Sequence, residues 1–127
     1  MFKTILLAED DPGVQRMLCR VLVEENYQVI QTKNLEEALK RLSDAQIDLI
    51  LLDLNMPGAN GLEVMKIIRL CRPRVKVLVI SGHITPEVRV EFQRLGQREF
   101  VQKPYRLDEL GRHIRGLLDA SRELASA

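Results

Sequence analysis

Cysteine is scarce: Cys19 and Cys71 are the two in 127 residues. They lie far apart among apolar neighbours at helical spacing, which is neither a metal-ligand pattern nor a disulfide framework. They read as buried free thiols in a reducing compartment. An excess of one charge is also missing, with 19 Lys and Arg against 18 Asp and Glu. That removes any bulk electrostatic case for nucleic acid, an anionic membrane or a polyanionic substrate. No window approaches the roughly 20 apolar residues of a bilayer span. The short apolar run after Lys3 is cut by acids at once, unlike a signal peptide. The expected location is therefore cytoplasmic. No Gly-rich loop follows the first apolar run, so nucleotide binding has no support. There is no internal repeat, low-complexity segment or second domain.

What is present is a chain long enough for one domain with a core, and an alternating pattern. Apolar runs of strand length occur at 4–8 (TILLA), 27–31 (YQVIQ), 48–53 (DLILLD), 75–81 (VKVLVIS) and, more weakly, 99–102 (EFVQ). The run at 48–53 does not alternate, which predicts burial on both faces. Between the runs, helical stripes are predicted by spacing. They are Val14, Met17, Leu18, Val21 and Leu22; Leu35, Ala38, Leu39 and Leu42; Val64, Ile67, Ile68 and Cys71; Val88, Phe92 and Leu95; and Leu110, Ile114, Leu117 and Leu118. Pro12 suits a first helical turn, Asn34 with Glu37 forms a capping-box pattern, and Thr85-Pro86 reads as a cap and first residue. Alternating strands and helices imply βαβ units and a doubly wound parallel sheet covered on both sides.

In such sheets ligands bind beyond the carboxyl ends of the strands. Those ends carry Glu9, Asp10 and Asp11, then Asp53, then Ser81, then Lys103. If the first, third, fourth and fifth strands are neighbours, several carboxylates, a hydroxyl and an ammonium share one edge. Crowded carboxylates repel unless a cation sits among them, and oxygen ligands suit Mg2+. A carboxylate there can also attack phosphorus, with a lysine and a hydroxyl to hold the phosphoryl oxygens. The cluster reads as a phosphorylatable aspartate with its own metal site.

Four motifs, ILLAEDDP, DLNMPGANG, VISGH and FVQKPY, stand in order at the ends of four strands. On them the chain, from about residue 4 to about 118, resembles the receiver domain of two-component response regulators, the CheY-like family. The resemblance implies a flavodoxin-like (βα)5 fold with strand order 2-1-3-4-5. It implies a receiver domain over 1–120, with 121–127 as a helix end or linker. It implies that Asp53 is the phosphoacceptor, and that Asp10, Asp53 and the Asn55 backbone carbonyl bind Mg2+, with Glu9 acting through a water. Ser81 and Lys103 would contact the phosphoryl group, Phe100 would stand at the aromatic switch position with Ser81, and Lys103-Pro104 would be a cis bond. The implied partners are a histidine kinase or phosphotransfer protein, an output domain or target protein, and a second copy in transient pairing. No nucleic acid or membrane contact is implied. The combination DLNMPG, SGH and QKPY is similar to receivers of hybrid histidine kinases.

The sequence departs from the commonest family pattern at Glu9 (often Asp), Ser81 (often Thr), Phe100, which lacks a hydroxyl, and LGQREF, which replaces a Gly-Ala pair. Plainer readings stand beside several residues. Asp53 suits a turn, and Asp11 a helix cap rather than a metal. Ser81 suits a loop hydroxyl, Lys103 a solvated charge, and Phe100 a core position. His83 borders the site or is a loop histidine; His113 is expected on an exposed helix face. Arg69, Arg72, Arg74 and Lys76 read as a solvated helix end offsetting the helix dipole. Two other functions remain open: a degenerate receiver used only for docking, and a metal-dependent phosphohydrolase with an aspartyl-phosphate intermediate.

Overall fold

The computed structural model describes residues 2–44, 46–56 and 60–126. Strands and helices alternate as β1 (Thr4–Ala8), α1 (Pro12–Glu24), β2 (Gln28–Thr32), α2 (Leu35–Asp44), β3 (Leu49–Asp53), α3 (Gly61–Cys71), β4 (Lys76–Ser81), α4 (Pro86–Arg94), β5 (Phe100–Gln102) and α5 (Leu107–Ser126). The five strands form one parallel sheet in the order β2-β1-β3-β4-β5. The fold is the doubly wound, flavodoxin-like one expected from the sequence. Residues 57–59 of the DLNMPGANG motif lie outside the described residues.

The burial pattern explains why the central strands read as continuous apolar runs. Successive side chains of a strand point to opposite faces, and here both faces are covered. Leu6, Ala8, Ile50, Leu52, Val77 and Val79 join Ala38, Leu42, Val64, Met65, Ile68 and Phe92 in one core. Ile5, Leu7, Leu49, Leu51, Leu78 and Ile80 join Leu18, Leu22, Leu110, Ile114 and Leu118 in the other. All five residues of β3 are buried, as the absence of alternation predicts. The edge strands β2 and β5 are only partly covered.

Local polar residues start four of the helices, at Asp11, Asn34 and Thr85 as the sequence suggests and also at Asn60. Asp11 Oδ1 accepts the Gly13 and Val14 amides, Asn34 Oδ1 the Glu37 amide, Asn60 Oδ1 those of Leu62 and Glu63, and Thr85 Oγ1 that of Val88. Each such cap contributes about 1 kcal/mol. Asp11 is thus a cap, the plainer of its two readings.

Several inward faces differ from the predicted stripes. Met17, Ile67, Val88 and Cys71 are exposed. In α1 a polar residue, Gln15, takes a buried place beside Leu18 and Leu22. In α3 the buried stripe runs through Val64, Met65 and Ile68, which rotates Ile67 outward and leaves Cys71 on the last, overhanging turn. Cys71 is therefore an exposed thiol, and Cys19 is half-buried, so neither is the fully buried thiol expected. α4 covers a strand of three residues and buries Phe92 alone, which leaves Val88 in solvent.

The cations at the end of α3 are not all solvated either. Arg69 Nη1 donates to the Val75 carbonyl at 2.8 Å and Nη2 to Gln97 Oε1 at 2.9 Å. Arg72 reaches across to the Leu42 carbonyl, with Nη2 at 2.6 Å and Nε at 3.0 Å. His113 is half-buried, with Nε2 2.8 Å from Glu99 Oε2, because its face of α5 turns towards the start of β5. Among the described residues no helix is long and apolar enough to cross a membrane.

Candidate functional site

Because β2 lies outside β1, the strands β1, β3 and β4 end side by side, with Ala8 opposite Leu52 and Asp53 opposite Ile80. The next residues of the chain therefore project beyond one sheet edge. Glu9, Asp10 and Asp53 each place a carboxylate oxygen within 4.8 Å of the others. Glu9 and Asp53 are buried, at 4% and 3% exposure, and Asp10 is exposed. One side of the cluster is thus sealed by protein and the other opens to solvent.

Asp53 is held at both oxygens. Its Oδ1 accepts the Asn55 amide at 2.8 Å, and its Oδ2 accepts from Lys103 Nζ at 2.9 Å. Lys103 is positioned by the sheet, since its amide donates to the Ser81 carbonyl at 2.9 Å. The bond that follows it, Lys103-Pro104, is cis, as the resemblance implies. The Asn55 side chain spans to the neighbouring loop, where its Oδ1 accepts the Gly82 amide at 2.9 Å.

Glu9 is under the heaviest electrostatic load. Burial pushes its carboxyl up to about 7, and the charge and hydrogen bonding of Asp53 push the same way. The Asp11 amide, 3.2 Å from Glu9 Oε2, and the Lys103 ammonium oppose this only in part. One ammonium does not balance three carboxylates, so the cluster has the charge and oxygen chemistry of a divalent cation site.

The Ser81 hydroxyl and the Phe100 ring are engaged by other groups. The Ser81 hydroxyl accepts the His83 amide and donates to the His83 carbonyl, both at 3.2 Å. It therefore bonds within its own loop rather than to Asp53 or Lys103. Phe100 is half-buried, edge-on to Phe92 with 5.8 Å between ring centroids, and the Arg89 guanidinium sits over its face at 4.8 Å.

Two contributors escape sequence reasoning. Gln15 Nε2 donates to the Glu9 carbonyl at 3.2 Å and the Thr32 carbonyl at 3.1 Å, which ties the backbone at the acidic pair to α1 and the end of β2. Its signal was a polar residue at the inward spacing of Leu18 and Leu22. Tyr105, two residues past Lys103, is half-buried, and burial and the charges of Glu9 and Asp53 raise its phenol above the ordinary value.

Comparison with known proteins agrees with this geometry. The family model described as the response regulator receiver domain matches residues 5–115. Among curated relatives, the chain is 34% identical over 107 residues to the DNA-binding transcriptional regulator NtrC of Azospirillum brasilense, covering 84% of this chain and 22% of that protein. It is 29% identical over 110 residues to sporulation initiation phosphotransferase F of Bacillus subtilis, covering 87% of this chain and 89% of that one. The response regulator protein TrrA of Thermotoga maritima, in complex with Mg(2+)-BeF, superposes with a TM-score of 0.80 at 33% identity, over 92% of this chain and all of that one. The chain thus spans about a fifth of one of these relatives and most of the others. With the strand order, the acidic edge and the family match in agreement, the chain belongs to the response regulator receiver domain family.

Proposed function

We propose that Asp53 accepts a phosphoryl group from the phosphohistidine of a histidine kinase or a phosphotransfer protein. One Asp53 oxygen forms a bond to phosphorus as the bond between phosphorus and the imidazole nitrogen breaks, and the nitrogen leaves with the electron pair. The observation that carries this reading is the Asp53 carboxylate held between the Asn55 amide and the Lys103 ammonium, beside Glu9 and Asp10. That restraint fixes the attacking group before the donor arrives, and positioning is the main service an enzyme supplies in phosphoryl transfer.

Three clustered carboxylates with one buried carboxyl held near pH 7 suit a resident Mg2+. Asp10, Asp53 and the Asn55 backbone carbonyl would hold it, with Glu9 acting through a water. When bound, Mg2+ neutralises charge on the phosphoryl oxygens. Lys103 then passes from the carboxylate to a phosphoryl oxygen. Ser81 joins it only if its hydroxyl leaves the His83 backbone, which makes Ser81 a group recruited by phosphorylation. Phe100, with its edge on Phe92 and its face under Arg89, is the packing element that answers that movement. The domain then catalyses its own dephosphorylation by water.

We assign the receiver to 1–120, with 121–127 as the end of α5 or a linker, in a cytoplasmic protein. Its output passes through the face of α4, β5 and α5 to an output domain or target protein, or to a second copy in transient pairing. The test is intact mass after incubation with acetyl phosphate, with and without Mg2+, beside Asp53→Asn. A single adduct that needs both Mg2+ and Asp53 is expected. Failure to form one, also with a kinase donor, leaves a docking module. Turnover of an added phosphomonoester marks a phosphohydrolase instead. An adduct that survives Asp53→Asn moves the site elsewhere.

A further inference from the structure

At the other end of the sheet, below the first residues of β4 and the approach to β5, lies an open hollow of about 420 Å³. Its walls carry four cations, Arg69, Arg74, Lys76 and Arg98, and one carboxylate, Glu99. Glu99 is already engaged by His113 at 2.8 Å. Among the described residues the side chains of Arg74, Lys76 and Arg98 have no hydrogen bond or ion pair. Elsewhere on the protein Arg20, Lys40, Lys66 and Arg115 pair with Glu24, Glu36, Glu63 and Glu25.

Arg69 is the most informative of the four. Its guanidinium is half-buried and bonded to two neutral acceptors, the Val75 carbonyl and Gln97 Oε1, and its Nε is buried without a partner. Burial lowers its affinity for the proton. Two neutral acceptors compensate a half-buried guanidinium only in part, and an anion in the hollow supplies the counter-charge that no carboxylate provides. Offsetting the α3 dipole accounts for a cation in the last turn. That explanation covers Arg69 but not Arg74, Lys76 or Arg98, which lie beyond the helix ends in the loops and at the start of β4.

The remaining wall is apolar, with Leu95, Leu117 and Pro73 facing the same space. A hollow of this size falls within the range of small-molecule sites, roughly 300–1,000 Å³, and far exceeds a lone phosphate. We propose that this hollow is a binding site for a phosphomonoester carried on a small organic body of nucleoside monophosphate size. The phosphate lies among Arg69, Arg74, Lys76 and Arg98, and the body lies against Leu95, Leu117 and Pro73. The site is separate from the Asp53 cluster, and β4 runs from one to the other, from Lys76 to Ser81.

The test is calorimetric titration of the metal-free protein with adenosine 5′-monophosphate, ribose 5-phosphate and inorganic phosphate, with amide shifts mapped in parallel. Saturable 1:1 binding of an organic phosphate is expected, with the largest shifts at 75–77 and 96–99. The double variant Arg74→Glu/Arg98→Glu should weaken it at least tenfold, since each lost charge-assisted contact is worth about that factor. Those side chains are exposed, so the variant should still fold and still take up the phosphoryl group from acetyl phosphate. Lys103→Ala should leave the titration unchanged. The proposal is overturned by no saturable binding of any of these probes, by binding insensitive to the double variant, or by binding only of long polyanions such as heparin or an oligonucleotide. Shifts centred on 9–10 and 103 would place the ligand at the acidic edge and also refute it.

Discussion

The acidic pair at the end of β1 is held from behind by one amide, and removing that amide should cost the fold measurably. Gln15 is only 8% exposed, and its Nε2 serves the carbonyls of Glu9 and Thr32. In Gln15→Leu the Thr32 carbonyl keeps the Glu9 amide at 3.2 Å, so it loses one of two donors. The Glu9 carbonyl loses its Gln15 donor outright. A buried carbonyl left without a partner costs about 1–3 kcal/mol, and the apolar side chain recovers part of that. The net expectation is about 2 kcal/mol, or roughly 8 °C in melting temperature for a domain of this size. Urea denaturation of the metal-free protein measures it directly. Gln15→Glu provides an internal control, because a carboxylate has no donor for either carbonyl, whereas a protonated carboxyl has one. That variant should be the less stable of the two at pH 7 and recover at pH 5 relative to wild type. The added stability conferred by Mg2+ should also shrink in both variants, since Glu9 is no longer anchored. Loss of less than about 0.5 kcal/mol in both variants would show that the two carbonyls do not depend on Gln15.

Lys103→Met leaves Asp53 beside Glu9 and Asp10 with no ammonium; a loss of about 1–2 kcal/mol is expected without Mg2+, held down by the partial exposure of the lysine. In the same variant, Mg2+ should bind more tightly by calorimetry while acetyl phosphate uptake falls, and unchanged uptake would remove Lys103 from the chemistry. Glu9 titrates at about 7 in the folded protein against an ordinary 4.5, so between those values the folded state holds a proton that the unfolded chain has released. The metal-free protein should therefore lose stability as pH rises through that window, by no more than about 3 kcal/mol. Glu9→Gln should flatten the slope in urea melts at pH 5 and 7.5, and a stability that rises across the window in the wild type would contradict this. Asp11→Ala removes the cap on α1 and should cost about 1 kcal/mol while leaving the Mg2+ response intact; a lost response would make Asp11 a ligand.

The acidic edge was legible because two independent regularities meet there. Apolar runs of strand length locate the strand ends, and a polar residue directly after such a run has nowhere to go but the edge of the sheet. Asp53, Lys103, Glu9 and Asp10 all follow that rule, and the structure brings them together. Ser81 follows it too, yet its hydroxyl is taken by the His83 backbone, a local competition that strand position does not reveal. The helices were less legible. Apolar character alone assigns Met17, Ile67 and Val88 inward, whereas the actual face depends on how much sheet lies beneath each helix. Buried amides were invisible for a related reason. Gln15 and Gln97 look like interruptions of a pattern until their carbonyl partners, distant in sequence, are in place. Arg69 and Arg72 likewise looked like surface charge, because their acceptors are main-chain carbonyls, which carry no residue-type signal, and, for Arg69, the side-chain oxygen of the distant Gln97.

The strand order has a consequence for the timing of maturation. Glu9 and Asp10 follow β1, Asp53 ends β3 and Lys103 follows β5, so no two of these three groups are joined by a single tight turn. Each must wait for a crossover to close, and each closure costs chain entropy before any contact repays it. A nascent chain that has emerged only as far as β3 can gather its carboxylates but has no ammonium to set among them. The complete constellation exists only when the last strand has docked beside β4. Immature chains lacking that strand are therefore without the Asp53–Lys103 ion pair, and a truncated product carries the clustered carboxylates without the ammonium that offsets them.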